Sequence, residues 1–271
     1  MHKSLVTQKI LASFFDERSD TQIAWLGMAG ALINARGTIL LVDPLISMGS
    51  SKGRALCEGE YPLKVPLPIE AKEIPRVEAV FYTHADSDHF GRLTARSLAE
   101  RLDCRFVAPP PVAQELRELG VDEKRINEVH DFETTQVGSV EVIVTPALHN
   151  WQAENGWKRG DCCGYLFRTP DGTVWHPGDT RLIDELLDIK GVDVLFFDVA
   201  AVEAHLGPAG SARLAASSGA RALLAYHYGT FDLPPGGYAS CDPAESLPYV
   251  EGLAADFLQL DPGEPFRLPL K

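Results

Sequence analysis

The sequence predicts an α/β layered fold that carries a metal site at one edge of a sheet. Three observations support this. Strand-like apolar runs crowd the first part of the chain, and strand and helix alternate after it, the order that builds a layered α/β domain. Four metal-competent side chains, His84, Asp86, Asp88 and His89, stand within six residues directly after the apolar run Val80-Phe81-Tyr82. His149, Asp179 and His227 each follow another apolar, strand-like run. Strands that end on a common edge deliver their loops to one place, so ligands far apart in sequence can meet.

Leu5, Val6, Ile10, Leu11, Phe14 and Phe15 fall on one helical face and predict an amphipathic N-terminal helix packed on the core. It has no basic polar face of the kind that marks a membrane-surface helix. Gln22 to Gly27, Ala31 to Ala35 and Thr38 to Val42 alternate or run apolar between Gly or Asn-Ala-Arg-Gly turns, predicting three short strands. Residues 43–75 are rich in Gly and Pro and read as a long loop of the kind that usually serves function. Further strands are expected at Glu78 to Tyr82, Arg105 to Ala108, Val140 to Thr145, Gly164 to Arg168, Thr173 to Trp175, Val192 to Phe197 and Ala222 to Tyr226. Helices are expected at Leu93 to Leu102, Pro111 to Leu119 with Pro in its first turn, Leu182 to Ile189, Pro208 to Ser217 and Pro243 to Ala255. No repeat, low-complexity tract or linker divides the chain, which predicts a single domain over residues 1–271.

With 271 residues, 45% of them hydrophobic, the chain can bury a large core. Its 25 basic against 38 acidic residues give a net charge of −13, and such a surface repels phosphate backbones and speaks against a nucleic-acid partner. Cys57, Cys104, Cys162, Cys163 and Cys241 make an odd count without framework spacing. Nothing resembles a signal peptide, and no apolar run reaches the roughly 18 residues of a transmembrane helix. The expectation is a cytoplasmic protein with free thiols, a small-molecule substrate and no membrane partner. Its oligomeric state is open, a homo-oligomer included.

A His and an Asp two residues apart can reach one ion from a tight turn, and the following Asp-His pair can reach another. The order H-x-D-x-D-H therefore suits two metals, which at about 3.5–4 Å separation can share a hydroxide and clamp the oxyanion it creates.

These residues resemble the hallmark of the metallo-β-lactamase fold hydrolases: H-x-H-x-D-H after a strand, then a His, an Asp and a last His. Trp25-Leu26-Gly27-Met28-Ala29-Gly30 with Ile39-Leu40-Leu41-Val42-Asp43-Pro44 looks like the N-terminal strand pair of the ascorbate-phosphate lactonase branch. Thr145-Pro146-Ala147-Leu148-His149, His176-Pro177-Gly178-Asp179-Thr180 and Ala225-Tyr226-His227-Tyr228-Gly229-Thr230-Phe231 match the later motifs in order. The resemblance implies a four-layer αβ/βα sandwich and two divalent ions, manganese or zinc first and iron as the alternative. It places His84, Asp86 and His149 on one ion, Asp88, His89 and His227 on the other, and Asp179 between them. It gives Asp88 a second, catalytic task in handling the proton of the attacking water. The implied reaction is hydrolysis of a lactone or another ester or amide of a small polar metabolite. A phosphodiester is the next substrate class, because the phospholipase that cleaves N-acylphosphatidylethanolamine is similar to the same branch.

Asp86 departs from the family pattern, which has His there. A carboxylate is harder than imidazole and moves preference from zinc toward manganese or iron, so an iron-dependent redox or oxygen-handling enzyme is a second reading. Outside the motifs, His205 in Glu203-Ala204-His205-Leu206-Gly207-Pro208 is a catalytic candidate, contacting substrate or protonating a leaving group, against a bland reading as a helix-capping residue. Asp43 is either a support beneath a ligand His or a simple turn-starting Asp-Pro. Lys52, Arg54, Lys158 and Arg159 are either anion contacts or solvated charges, and Trp151 and Trp157 either a substrate wall or core. His176 is expected to face away from the metals, and the Cys162-Cys163 pair to be buried as small apolar groups.

Overall fold

The computed structural model describes residues 4–51, 54–149, 157–234 and 240–269. In chain order the strands are β1 (Thr21–Gly27), β2 (Gly30–Ala35), β3 (Thr38–Val42), β4 (Met48–Ser51), β5 (Arg54–Cys57), β6 (Ala79–Phe81), β7 (Arg105–Ala108) and β8 (Ile126–Glu128). They continue as β9 (Thr134–Val137), β10 (Val140–Pro146), β11 (Cys163–Thr169), β12 (Gly172–His176), β13 (Val194–Asp198), β14 (Ala222–Tyr226), β15 (Asp256–Leu258) and β16 (Pro265–Leu268). The helices are α1 (Arg92–Arg101), α2 (Pro110–Glu118), α3 (Asp184–Leu187), α4 (Gly207–Ser218) and α5 (Leu247–Val250).

Two seven-stranded sheets result, in the orders β16-β1-β2-β3-β6-β7-β8 and β15-β14-β13-β12-β11-β10-β9. One apolar cluster fills the space between them, joining Ile33, Leu40 and Phe81 to Val142, Tyr165, Phe167 and Phe196. A second cluster lies on the far face of the first sheet, where Leu41 and Val80 meet Leu98 of α1 and Leu116 of α2. On the far face of the second sheet α4 packs on β13, which completes four layers, helices outside and sheets inside. Strands covered on both faces must be apolar throughout, which is why Ile39-Leu40-Leu41-Val42 and Val194-Leu195-Phe196-Phe197 read as unbroken runs.

β3, β6, β7 and β8 run parallel, as do β12, β13 and β14. β10 has the direction of β12 because each is antiparallel to β11. The C-terminal ends of β3, β6, β10, β12, β13 and β14 therefore collect at one edge, and the seven predicted motif residues follow four of those strands. There the sheets are stitched together: the Cys163 amide donates to Thr83 O at 3.0 Å, and the Tyr165 hydroxyl to Tyr82 O at 2.8 Å.

Several elements differ from expectation. Residues 4–11 form no helix or strand, and a single 3-10 turn over Ala12–Phe15 replaces the N-terminal helix. The segment satisfies its backbone against other parts of the chain instead: the Gln8 amide donates to Pro262 O, the Ile10 amide to Pro68 O, and the Asn34 side chain to Phe14 O. Ile10, Phe14 and Phe15 are buried, but Val6 and Leu11 face solvent. The long helix expected from Pro243 breaks into a 3-10 turn over Pro243–Ser246 and the short α5, because Pro248 has no N–H to donate and belongs in a first turn. The helix expected from Leu182 shrinks to α3. The loop over residues 43–75 contains the hairpin β4–β5, whose Met48-Gly49-Ser50-Ser51 strand has no apolar alternation to read. Buried Glu58, just after that hairpin, accepts from the amides of Leu93 and Thr94 and so caps α1, leaving Asp88 out of the cap. No helix among the described residues is long and apolar enough to cross a membrane.

Candidate metal centre

All seven predicted ligands come together at this edge, and His205 joins them. The side chains that could share an ion fall into overlapping groups: His84, Asp86 and His149; Asp88, His89 and His227; His84, His89 and Asp179; His149, Asp179 and His205; and Asp198, His205 and His227, where Asp198 meets the Nδ1 side of both rings. The first two groups match the two sets implied by the sequence, and each is two imidazoles and one carboxylate. Asp179 lies between them, 3.2 Å from His89 Nε2, 3.3 Å from His227 Nε2, 3.4 Å from His205 Nε2 and 3.8 Å from His84 Nε2.

The five imidazoles share one orientation. A carboxylate or carbonyl only accepts, so a ring nitrogen facing one carries the proton. His89 Nδ1 donates to Asp43 Oδ2 at 2.8 Å, His149 Nδ1 to Ala204 O at 3.0 Å, and His205 Nδ1 and His227 Nδ1 to the two oxygens of Asp198, each at 3.1 Å. The Thr83 hydroxyl donates to Asp43 at 2.6 Å and so accepts from His84 Nδ1 at 2.9 Å. In the neutral form of each ring this leaves Nε2 as a lone pair turned inward, the form that binds metal. His89 Nε2 and His227 Nε2 then face one another at 3.0 Å, His84 Nε2 and Asp179 Oδ1 are buried without a hydrogen-bond partner, and His149 Nε2 faces Asp86 Oδ2 at 3.3 Å. Acceptors crowded in this way repel one another unless a cation lies among them, so the donor set fits divalent metal.

The charges agree. Burial opposes ionisation of Asp179, but His227, His89 and His205 outweigh it and hold the carboxyl well below its ordinary range. Burial likewise opposes charge on Asp86, and His149 and His84 hold it low. Burial alone would lower His89, yet Asp179, Asp88 and Asp43 raise it well above the ordinary imidazole value. The same contest takes His205 to about 9, burial against Asp179 and Asp198. Carboxylates that favour protons on these rings favour a cation among them equally, and the two compete.

Asp43, read either as support or as turn, is support. It is fully buried, and besides His89 it accepts from the Thr83 amide at 2.7 Å. Asp198 does the same on the other sheet and escaped the sequence reading. It ends an apolar strand just as Asp43 does. Tyr61 was also missed: its hydroxyl bonds Ser87 Oγ at 2.7 Å, at the tip of the Asp86-Ser87-Asp88 turn, and its ring stacks on Phe231 at 4.4 Å. Nothing in its Gly- and Pro-rich surroundings announces that contact. His176 faces away, donating Nε2–H to Ala29 O at 2.9 Å. Cys162 and Cys163 are buried, and burial raises both thiols. Trp157 stands beside the centre, its ring 6.0 Å from His84 and 5.9 Å from His149. Arg159 is engaged by Asp131 at 3.0 Å and Glu185 at 2.6 Å, so its charge is matched by acids. Lys52 and Trp151 lie outside the described residues, and only the backbone of Arg54 is described.

A fold of two facing sheets with a buried His/Asp cluster at the strand ends defines a class, the metal-dependent hydrolases of the metallo-β-lactamase fold. A profile of the β-lactamase superfamily domain matches residues 38–228, more than half of the chain, and the chain belongs to that family. Among curated relatives, a UPF0173 metal-dependent hydrolase of Pyrobaculum aerophilum is 29% identical over 255 residues, covering 91% of this chain and all of its own. Among solved structures, Igni18, a metallo hydrolase from Ignicoccus hospitalis, superposes with a TM-score of 0.70 at 19% identity, over 93% of this chain and 100% of its own. CmlA, a diiron β-hydroxylase from Streptomyces venezuelae, superposes with a TM-score of 0.67 at 19% identity, over 94% of this chain but 55% of its own.

Proposed function

We propose that this metal-dependent hydrolase uses a dinuclear centre to cleave a lactone, or another ester or amide bond, of a small polar metabolite. The observation that carries the reading is Asp179, one buried carboxylate approached by imidazoles of both candidate groups. His84, Asp86 and His149 would hold one ion, Asp88, His89 and His227 the other, and Asp179 would bridge. When bound, two divalent ions supply a water acidic enough to ionise near neutral pH and positive charge where an oxyanion develops. The chain's own part is orientation. Asp43, Thr83, Ala204 and Asp198 fix the ring tautomers, and Asp88, at the rim of the buried cluster, is placed to accept the proton of an attacking water. Trp157, beside His84 and His149, offers an apolar wall to the acyl part of a substrate.

The likeness to the lactonase branch favours a cyclic or acyl ester, with phosphodiesters next. One feature supports a different chemistry. With Asp86 in place of His, each candidate group is two His and one carboxylate, the set typical of non-haem iron oxygenases. The resemblance to a diiron hydroxylase points the same way.

Metal analysis of protein purified without added metal, followed by lactone and phosphodiester panels, tests the proposal. Two equivalents of manganese or zinc with turnover of a lactone or ester support it. Two equivalents of iron, with colour that changes on reduction and no hydrolysis, transfer the assignment to oxygen chemistry.

A further inference from the structure

The five imidazoles close a ring around Asp179. Centroids are 4.0 Å apart for His84 and His89, and 5.1 Å for His89 and His227, His227 and His205, His205 and His149, and His149 and His84. Four members belong to the ligand motifs, and His205 belongs to none. We infer that His205 is an eighth metal-coordinating residue, on the ion held by His84, Asp86 and His149. This rests on the dinuclear reading above.

The geometry of His205 matches that of the other candidate ligands. Its Nε2 lies 3.4 Å from Asp179, between the 3.3 Å of His227 and the 3.8 Å of His84. Its Nδ1 is held by the same carboxylate that holds His227, at the same 3.1 Å, so one side chain, Asp198, fixes the tautomer of both. His149, Asp179 and His205 present donor atoms close enough to share one ion.

The backbone supplies a separate argument. Ala204 has φ 66°, a conformation that costs a non-glycine residue about 1–3 kcal/mol and persists where the surroundings demand it. That turn does two things at once. It aims the Ala204 carbonyl at His149 Nδ1, and it sends the next side chain, His205, inward to Asp179. Two residues of the same group are thus set by one strained peptide. The His205 side chain is 8% exposed and its Nε2 points at the Asp179 carboxylate, as Nε2 of His89 and His227 do.

The inference carries a consequence for the metal. His84, Asp86 and His149 form one group and His149, Asp179 and His205 another, and His149 is common to both; an ion that draws on both groups would have five protein donors, which suits six-coordinate manganese or iron and exceeds the four of tetrahedral zinc.

Cobalt titration of metal-stripped protein tests it, read by affinity and by visible absorbance. Wild type is expected to bind two equivalents. In His205→Gln one equivalent should weaken by about tenfold or more, with a stronger visible band as that ion loses a donor. His205→Asp, which keeps a donor atom, should recover part of the affinity. Fewer than two equivalents in wild type would overturn the dinuclear reading and this inference together. Two equivalents in wild type, with affinity and spectrum unchanged in His205→Gln while ester turnover falls, would overturn this inference alone and make His205 a proton donor. Should the variants fail to fold, metal–nitrogen NMR couplings in cadmium-loaded, isotope-labelled wild type count the bound imidazoles. Five are expected, and four overturn the inference.

Discussion

His89 Nε2 and His227 Nε2 stand 3.0 Å apart, each with its other ring nitrogen committed to a carboxylate, Asp43 for one and Asp198 for the other. Two Nε2 atoms held face to face from opposite sheets are stable with a proton shared between them or with a metal ion among them, and the acids that raise His89 favour either. The supporting carboxylates are therefore as much part of the centre as the rings they hold.

Asp43→Asn and Asp198→Asn should each weaken metal binding by about 10–100-fold without removing a single candidate ligand. An amide supplies one acceptor oxygen where Asp43 uses two oxygens for three donors and Asp198 uses both for two rings. Competition against a chromophoric chelator measures this. Unchanged affinity in both variants would reduce the carboxylates to packing.

Asp86→His should move metal preference toward zinc. The change turns a group of two imidazoles and one carboxylate into three imidazoles, softer and less negative. Protein loaded from an equimolar mixture of manganese and zinc, then analysed for both, should show a zinc-to-manganese ratio about tenfold above wild type, an increment of about 1.4 kcal/mol. An unaltered ratio would mean that Asp86 does not set the selectivity.

His176 should make the protein lose stability on acidification. Burial, its dominant influence, depresses this imidazole to about 4; Nε2–H is used on Ala29 O, and a proton on Nδ1 would be buried and would displace the Gly178 amide that Nδ1 accepts from at 3.3 Å. An unfolded chain would protonate it near the ordinary 6.5. Between those values the unfolded state binds the extra proton, so the contribution is complete above about 6.5 and lost as pH falls toward 4. The full difference is about 3 kcal/mol. His176→Gln should flatten the dependence of urea stability on pH in that window, measured on metal-stripped protein so that metal loss adds nothing.

The centre was legible in the sequence because its ligands follow apolar strands, and strand ends are the most readable boundaries in a layered α/β chain. The strand that ends before His84 and the one that ends before His227 are unbroken apolar runs, and their loops had one edge at which to converge. Asp198 also ends an apolar strand, but no motif surrounds it and its sequence context alone does not mark it as a support. Other features depend on partners far along the chain. Tyr61 meets Ser87 and Phe231 only because residues 61–64 lie beside residues 230–232, and no local period encodes that. Residues 4–11 have a helical pattern of apolar residues, yet their amides find acceptors in Pro262 and Pro68, and this tertiary pairing outweighs a marginal isolated helix.

Trp157 provides an optical report on the centre. Of the four indoles in the sequence, Trp25 and Trp175 are sealed in the core, with Nε1–H bonded to Met28 O and Thr145 Oγ1 respectively. Trp157 instead meets the edges of His84 and His149, two rings of one candidate group, at about 6 Å. Paramagnetic cobalt or manganese bound by those rings should quench its emission, whereas ions bound elsewhere on this acidic surface should not. Titration should therefore lower the fluorescence with the stoichiometry of the first group, and Trp157→Phe should abolish most of the change while leaving metal affinity within about twofold, or 0.4 kcal/mol. If Trp157 is also the wall for an acyl substrate, Trp157→Ala should raise KM more than it lowers kcat, because a wall that holds ground state and transition state alike contributes uniform binding. Equal quenching in wild type and Trp157→Phe would mean that Trp157 does not report on the bound ions.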